Sequence, residues 1–164
     1  MKNLKDFINE SIVNESVSFL DMVEYYPSNW DLAGIFDATD GGKASELKKY
    51  DWGEFFDVDF IDAHDKDIVK LYTNFFAACD SVYNSDIGNV EEDGFNDSEV
   101  RDTADISDKE CGVALHKDGD DGTWTIIKFK KPIDKLPKAQ QDAIWVVTSK
   151  FEESYYDIEY FDAV

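Results

Sequence analysis

The sequence predicts one α+β domain, with helices packed on a small antiparallel sheet. Three observations carry that expectation. Apolar residues recur at helical spacing in several separate segments, while residues 111–130 read as a β-hairpin. No repeat of 20 to 50 residues and no Pro/Gly-rich linker divides the 164 residues, which is the usual size of one domain. Helical and strand segments are segregated along the chain rather than alternating as βαβ units, which favours α+β over a parallel sheet. A chain of this length buries roughly 70% of the surface that its unfolded form exposes. An apolar fraction of 43% and an aromatic fraction of 15% supply the material for that core.

The elements follow in order. Leu4, Phe7, Ile8, Ile12, Phe19, Leu20 and Val23 give a helical period over 3–25, with a break near Asn14 and Ser16, and Pro27 ends the segment. Residues 1–25 are thus an N-terminal helix or leader. Ser28 is placed to cap a short helix through Phe36. Gly41-Gly42 marks a turn, and residues 44–50 a further turn or two of helix. In 51–60, acids mix with aromatics; Phe56, Val58 and Phe60 alternate with Asp57 and Asp59 as a strand would. Residues 65–84 are expected to form the central helix, with Ile68, Tyr72, Phe75, Cys79 and Val82 on one stripe. Residues 85–108 read as an acidic loop, with nine carboxylates against Arg101. The hairpin pairs Val113 and Leu115 with Trp124, Ile126 and Ile127 around a turn at 118–122. Pro132 to Pro137 lead to a last helix carrying Ala143, Ile144, Val147, Phe151 and Tyr155, and the tail 157–164 is expected to add a strand.

Charge is the strongest functional signal. Thirty-seven Asp and Glu oppose 16 Lys and Arg, a net charge of −21. Like charges repel and lower the stability of a compact state. Phosphate contacts need clustered Lys and Arg, so direct binding to nucleic acid or to an anionic membrane is disfavoured. No apolar run reaches 18 residues, and Asp6, Asn9 and Glu10 interrupt any signal-peptide core. Cys79, on the expected central helix, and Cys111, opening a strand, read as buried free thiols; they make neither a disulfide scaffold nor a C-x-x-C zinc pair.

Catalytic signals are weak. His64 stands in Asp62-Ala63-His64-Asp65, just before the expected helix, and reads as an exposed histidine in an acidic surface. His116 ends a hairpin strand. Asp118 to Asp121 open like a calcium loop, but the twelfth position is Phe129 rather than Glu, so a hairpin turn is expected there. Nothing matches a nucleophile elbow, a phosphate loop or a dinucleotide fingerprint. The sequence therefore predicts no enzyme, no cofactor and no metal.

The acids from Asp51 to Asp65 stand out instead. Asp51, Glu54, Asp57, Asp59, Asp62 and Asp65 recur at steps of two or three residues, with no base until Lys66. Such a row can imitate a phosphate backbone and occupy the basic groove of a nucleic-acid-binding protein. Glu91, Glu92 and Asp93 form a second acidic set. The bases are uneven too: Lys117, Lys128, Lys130, Lys131, Lys135 and Lys138 cluster at the hairpin and its exit.

The first twelve residues, Met1-Lys2-Asn3-Leu4-Lys5-Asp6-Phe7-Ile8-Asn9-Glu10-Ser11-Ile12, resemble the N-terminal leader of T4-like tailed-phage proteins. In that family such leaders direct internal proteins into the prohead, and a maturation protease cuts after a Glu; Ile8-Asn9-Glu10 before Ser11 fits that pattern. In charge and size alone, the rest is similar to the acidic antirestriction proteins that mimic DNA. The resemblance implies a phage-type inhibitor of a basic, nucleic-acid-binding host defence protein, such as a restriction or CRISPR component, acting in the host cytoplasm. An internal head protein packaged in the virion is the alternative, and a metal-dependent enzyme using His64 and its neighbouring acids is a second.

Overall fold

The computed structural model describes residues 26–86, 104–117, 123–153 and 156–162, with the backbone alone for Tyr156 and Asp157. The expected helix over 3–25, the leader, the hairpin turn at 118–122 and Tyr155 lie outside the described residues.

Among the described residues, four helices and four strands make an α+β arrangement. Helix α1 (Asn29–Ala38) is followed by the short α2 (Ala44–Leu47), a 3-10 turn (Trp52–Glu54) and the long α3 (Val58–Ala77). Strands β1 (Cys79–Asp86), β2 (Cys111–Lys117) and β3 (Thr123–Phe129) come next. A second 3-10 turn (Ile133–Lys135), α4 (Lys138–Glu152) and β4 (Tyr156–Phe161) complete the described elements. The sheet order is β1-β3-β2-β4, and every neighbouring pair is antiparallel. The hairpin, the last helix and the closing strand stand where the sequence puts them.

Helix α1 starts as expected. Ser28 and Asp31 form a reciprocal capping box: the Ser28 N–H donates to Asp31 Oδ2 at 2.8 Å, and the Asp31 N–H donates to Ser28 Oγ at 3.4 Å. The helix ends in a left-handed run, with φ of +53° at Asp40, +79° at Gly41 and +82° at Gly42. Gly42 also packs directly on Phe76, so its missing side chain is needed for both reasons.

Two expectations fail between residues 56 and 86. Residues 56–60 are not a strand. Asp57 is extended at the N-cap position and α3 begins at Val58. The alternation there is accidental: Val58 is 70% exposed, whereas Phe56 and Phe60, one turn apart, stack at 5.4 Å. The central helix also starts and stops earlier than the stripe suggests. It ends at Ala77, one residue passes, and 79–86 form β1. Val82 and Tyr83 fit a helical arc, but the sheet uses both its faces for apolar packing, so consecutive apolar residues suit a strand. Val82 pairs with Ile127 and Tyr83 with Ile126, and a bulge between Cys79 and Ser81 resets the register. Tertiary pairing overrides local helix preference here.

One sheet face meets the helices. Val82, Val113, Leu115, Ile127 and Phe129 join Ile68, Leu71, Tyr72, Phe75 and Phe76 of α3 and Ala143, Ile144, Val147 and Phe151 of α4 in one buried cluster. Each large apolar side chain so buried contributes about 1.5–3 kcal/mol. Thr125, fully buried in the middle of this face, ties α1 to the sheet: its hydroxyl lies 2.7 Å from the Asn29 carbonyl and 2.6 Å from Asn84 Oδ1. Cys79 and Cys111 stand opposite Phe129 from the strands on either side of it. Two strand spacings, about 9.5 Å, keep them beyond disulfide reach, and both are free and buried. Cys79 thus opens a strand rather than lying on a helix.

The opposite face carries a second cluster of Ala114, Trp124, Ile126 and Phe161, with Ala104 and Ile106 laid over it. The expected acidic loop is therefore shorter than 85–108. Ser85 and Asp86 finish β1, Ala104 and Ile106 are buried, and 87–103 lie outside the described residues. The Tyr83 hydroxyl donates to the Ala104 carbonyl at 2.6 Å, and Lys128 reaches Glu110 at 2.9 Å. His116 is buried on this face, stacked on Trp124 at 4.6 Å.

Gly112 of β2 has no room for a side chain. A Cβ there would run into the Ile127 carbonyl oxygen and lie 2.8 Å from the Phe161 ring. Gly34 of α1 has open space. Urea unfolding should show Gly112→Ala destabilised by about 3 kcal/mol or more, since the obstacle is backbone. Gly34→Ala should gain about 0.5–1 kcal/mol from helix propensity. Equal effects of the two substitutions would contradict the sheet register.

Candidate functional site

The six acids of the 51–65 row are placed by an aromatic anchor. Trp52 is buried, its Nε1 donates to the Leu47 carbonyl at 3.0 Å, and its ring stacks on Tyr72 of α3 at 5.0 Å. Tyr50 packs edge-on against the same indole at 5.0 Å. Such ring pairs add about 0.5–1.5 kcal/mol each beyond area burial. With Trp52 held inward, its neighbours Asp51 and Glu54 are turned to solvent. Asp51 caps the 3-10 turn, its Oδ1 accepting from the Gly53 N–H at 3.0 Å.

Asp57 is exposed at the N-cap position, where its carboxylate makes no capping hydrogen bond. It faces the positive end of the α3 dipole. Asp59, Asp62 and Asp65 are exposed on α3 itself. The three-residue step from Asp59 to Asp62 separates them by about 4.5 Å along the axis and turns one by about 60° from the other, while Asp65 follows the break at His64. The row winds around the helix rather than running straight. All six carboxylates point outward, and among the described residues none is in an ion pair.

The row divides between two depressions. Asp51, Asp62 and Asp65 border an open groove of about 910 Å³ between α3 and the segment 44–53. Its walls are apolar, with Tyr50, Trp52, Val58, Ile61 and Val69. Lys48, Lys66 and Lys70 share its rim, so the groove interrupts the negative surface. Asp57 and Asp59 border a shallower hollow with Phe60, Ala63 and His64. Glu54 borders neither. Glu91, Glu92 and Asp93 lie outside the described residues.

His64 is inside α3 rather than before it. Its backbone breaks the helix, with φ −131° and ψ 17°. The ring is partly buried against Phe60 at 4.6 Å, and Nδ1 stands 3.5 Å from Asp67 Oδ2. It is therefore less exposed than the sequence suggests. Among the described residues, no group of three His, Cys, Asp or Glu side chains is placed to hold a metal ion. No helix among them is long and apolar enough to cross a membrane.

No family model matches this sequence, and no curated protein or solved structure matches it either.

The lysine-rich hairpin and its exit are only partly neutralised. Lys128 pairs with Glu110 at 2.9 Å and Lys138 with Asp142 at 2.8 Å. Lys117, Lys130, Lys131 and Lys135 are exposed. Glu110 is held below the ordinary carboxylate range by the Ser107 N–H and by Lys128. The groove itself was not legible in the sequence, because it needs the segment 44–53 to fold back along α3. The signal that pointed toward it is Trp52, a large apolar residue set among acids.

Burial, and then the charges of Glu54, Asp31 and Asp51, raise the Tyr50 phenol above its ordinary value. The folded chain keeps a proton there that the unfolded chain loses near pH 10. Stability from this group is full below that pH and falls as pH rises through the folded value. An absorbance titration should show Tyr50 ionising later than free tyrosine, and earlier in Glu54→Gln than in the wild type. Unchanged ionisation in that variant would mean that Glu54 does not face the ring.

Proposed function

We propose that this protein is an acidic, phage-type inhibitor that docks on a basic, nucleic-acid-binding host protein and occupies its nucleic-acid groove. The observation that carries this reading is the row Asp51, Glu54, Asp57, Asp59, Asp62 and Asp65, solvent-exposed throughout and left without cationic partners among the described residues. Between Asp59 and Asp62 on α3 the charges step by roughly 4.5 Å of axis, near the one per roughly 3.4 Å along a single DNA strand. A fold that kept carboxylates for its own stability would pair or cap with them. Here only Asp51 and Asp65 accept backbone N–H groups.

The rigid support also favours recognition. The row is anchored through Trp52 and Phe56 to the central helix, so its charges are presented with little ordering cost on binding. The Lys48, Lys66 and Lys70 rim sets one limit of the negative surface. The contact face therefore extends from the groove toward the N-terminus of α3.

Capture from a bacterial lysate provides the test. At about 50 mM salt the immobilised protein should retain basic nucleic-acid-binding proteins and release them at about 500 mM, because exposed charges are screened over a few ångströms at high ionic strength. Added duplex DNA should compete. Glu54→Lys, Asp57→Lys, Asp59→Lys and Asp62→Lys together should weaken capture about tenfold or more. Capture that ignores salt, DNA and the four reversals would refute the proposal.

A further inference from the structure

The groove between α3 and the segment 44–53 presents an apolar floor inside a rim of balanced charge. Val58, Ile61 and Val69 line it from the helix, and Tyr50 and Trp52 from the other side. Val58 is 70% exposed, an apolar side chain left to water. The rim holds three carboxylates, Asp51, Asp62 and Asp65, and three lysines, Lys48, Lys66 and Lys70. All six are exposed, and among the described residues none is in an ion pair. On a chain of net charge −21, this lining is neutral. A partner charged uniformly, with either sign, meets as much repulsion here as attraction.

The order of these charges along α3 matters more than their sum. Asp62 and Asp65 come first, and Lys66 and Lys70 follow, one turn or about 6 Å apart on the axis. From N- to C-terminus, the helix wall therefore changes sign between Asp65 and Lys66. A helix with this pattern is complementary to itself turned end for end. Pairing about a two-fold axis near residues 65 and 66 brings Asp65 against Lys66 of a second copy and Asp62 alongside its Lys70, and each contact occurs twice. The same operation carries Val58 and Ile61 over Val69 of the second copy. A parallel arrangement would set acid against acid and lysine against lysine, so charge order selects the antiparallel one.

We propose that the groove face is a two-fold interface between two copies of this chain, in which the α3 helices lie antiparallel and each Val58 seats at the mouth of the other copy's groove. Repulsion between the remaining charges is screened beyond about 8 Å at about 150 mM salt. At that ionic strength the neutral, apolar face decides whether two copies associate. Glu54, Asp57 and Asp59 do not line the groove, and the inference does not depend on the docking of a basic partner.

Sedimentation equilibrium of the full chain at about 150 mM salt provides the test. The mass should be that of one chain at about 1 µM and approach that of two at about 500 µM, for a Kd of about 10–100 µM. Asp62→Lys with Asp65→Lys gives the helix wall one sign, and Lys66→Glu with Lys70→Glu gives it the other. Each double variant alone should dimerise about tenfold more weakly or worse. The first makes the chain less negative, so overall repulsion alone would tighten its dimer; weakening there reports the local pairing. Mixed in equal amounts, the two variants should form a mixed dimer at least as tight as the wild type, because every facing pair is then opposite in sign. All four side chains are exposed, so these exchanges leave the core untouched. Three results would each overturn the proposal: a single-chain mass up to about 500 µM, undiminished dimerisation in either double variant, or no mixed dimer from the folded pair.

Discussion

Repulsion among surplus carboxylates is the constraint around which this fold is built. In water, two unit charges about 10 Å apart repel by about 0.4 kcal/mol. Many such pairs on one small surface add up to an appreciable part of the 5–15 kcal/mol by which a domain is ordinarily stable. The offset comes from aromatic burial. Trp52, Tyr72, Phe75, Phe76, Trp124 and Phe151 are all buried, and most of them make ring–ring contacts. The sheet reinforces this by packing apolar residues on both of its faces.

The same constraint explains where the acids stand. Residues 51–65 alternate between anchoring aromatics and outward carboxylates. Trp52, Phe55 and Phe56 turn in, while Asp51, Glu54 and Asp57 turn out. Anchoring and display are two aspects of one packing arrangement. The groove beside them is where the segment 44–53 does not close completely on α3, and its rim mixes Lys48, Lys66 and Lys70 with Asp51, Asp62 and Asp65.

Much of the architecture was legible in the sequence where local signals agreed with tertiary packing. Ser28 announced α1, Val113 to Phe129 announced the hairpin, and Ala143 to Phe151 announced α4. The errors fell where one pattern fits two structures. Val82 and Tyr83 continue the stripe of Ile68 and Phe75, and nothing local says that the chain turns at Ala78; only pairing with Ile126 and Ile127 decides it. Phe56 and Phe60 suit a strand face and a helix turn alike, and the exposure of Val58 resolves them. Of the candidate site, the sequence identified the acidic row, since charge and exposure go together. It could not show that Asp51, Asp62 and Asp65 meet Lys48, Lys66 and Lys70 around one groove, because that depends on how two distant segments pack.

The most direct measurement is the free energy of unfolding as a function of sodium chloride, from about 10 mM to about 500 mM at pH 7. Exposed, unpaired carboxylates repel over distances that salt screens. The account predicts that stability climbs steadily across this range, with most of the gain below about 200 mM. A flat or falling curve would contradict it, since it would mean that the negative charges are already neutralised within the folded chain and none is held in reserve for a cationic partner.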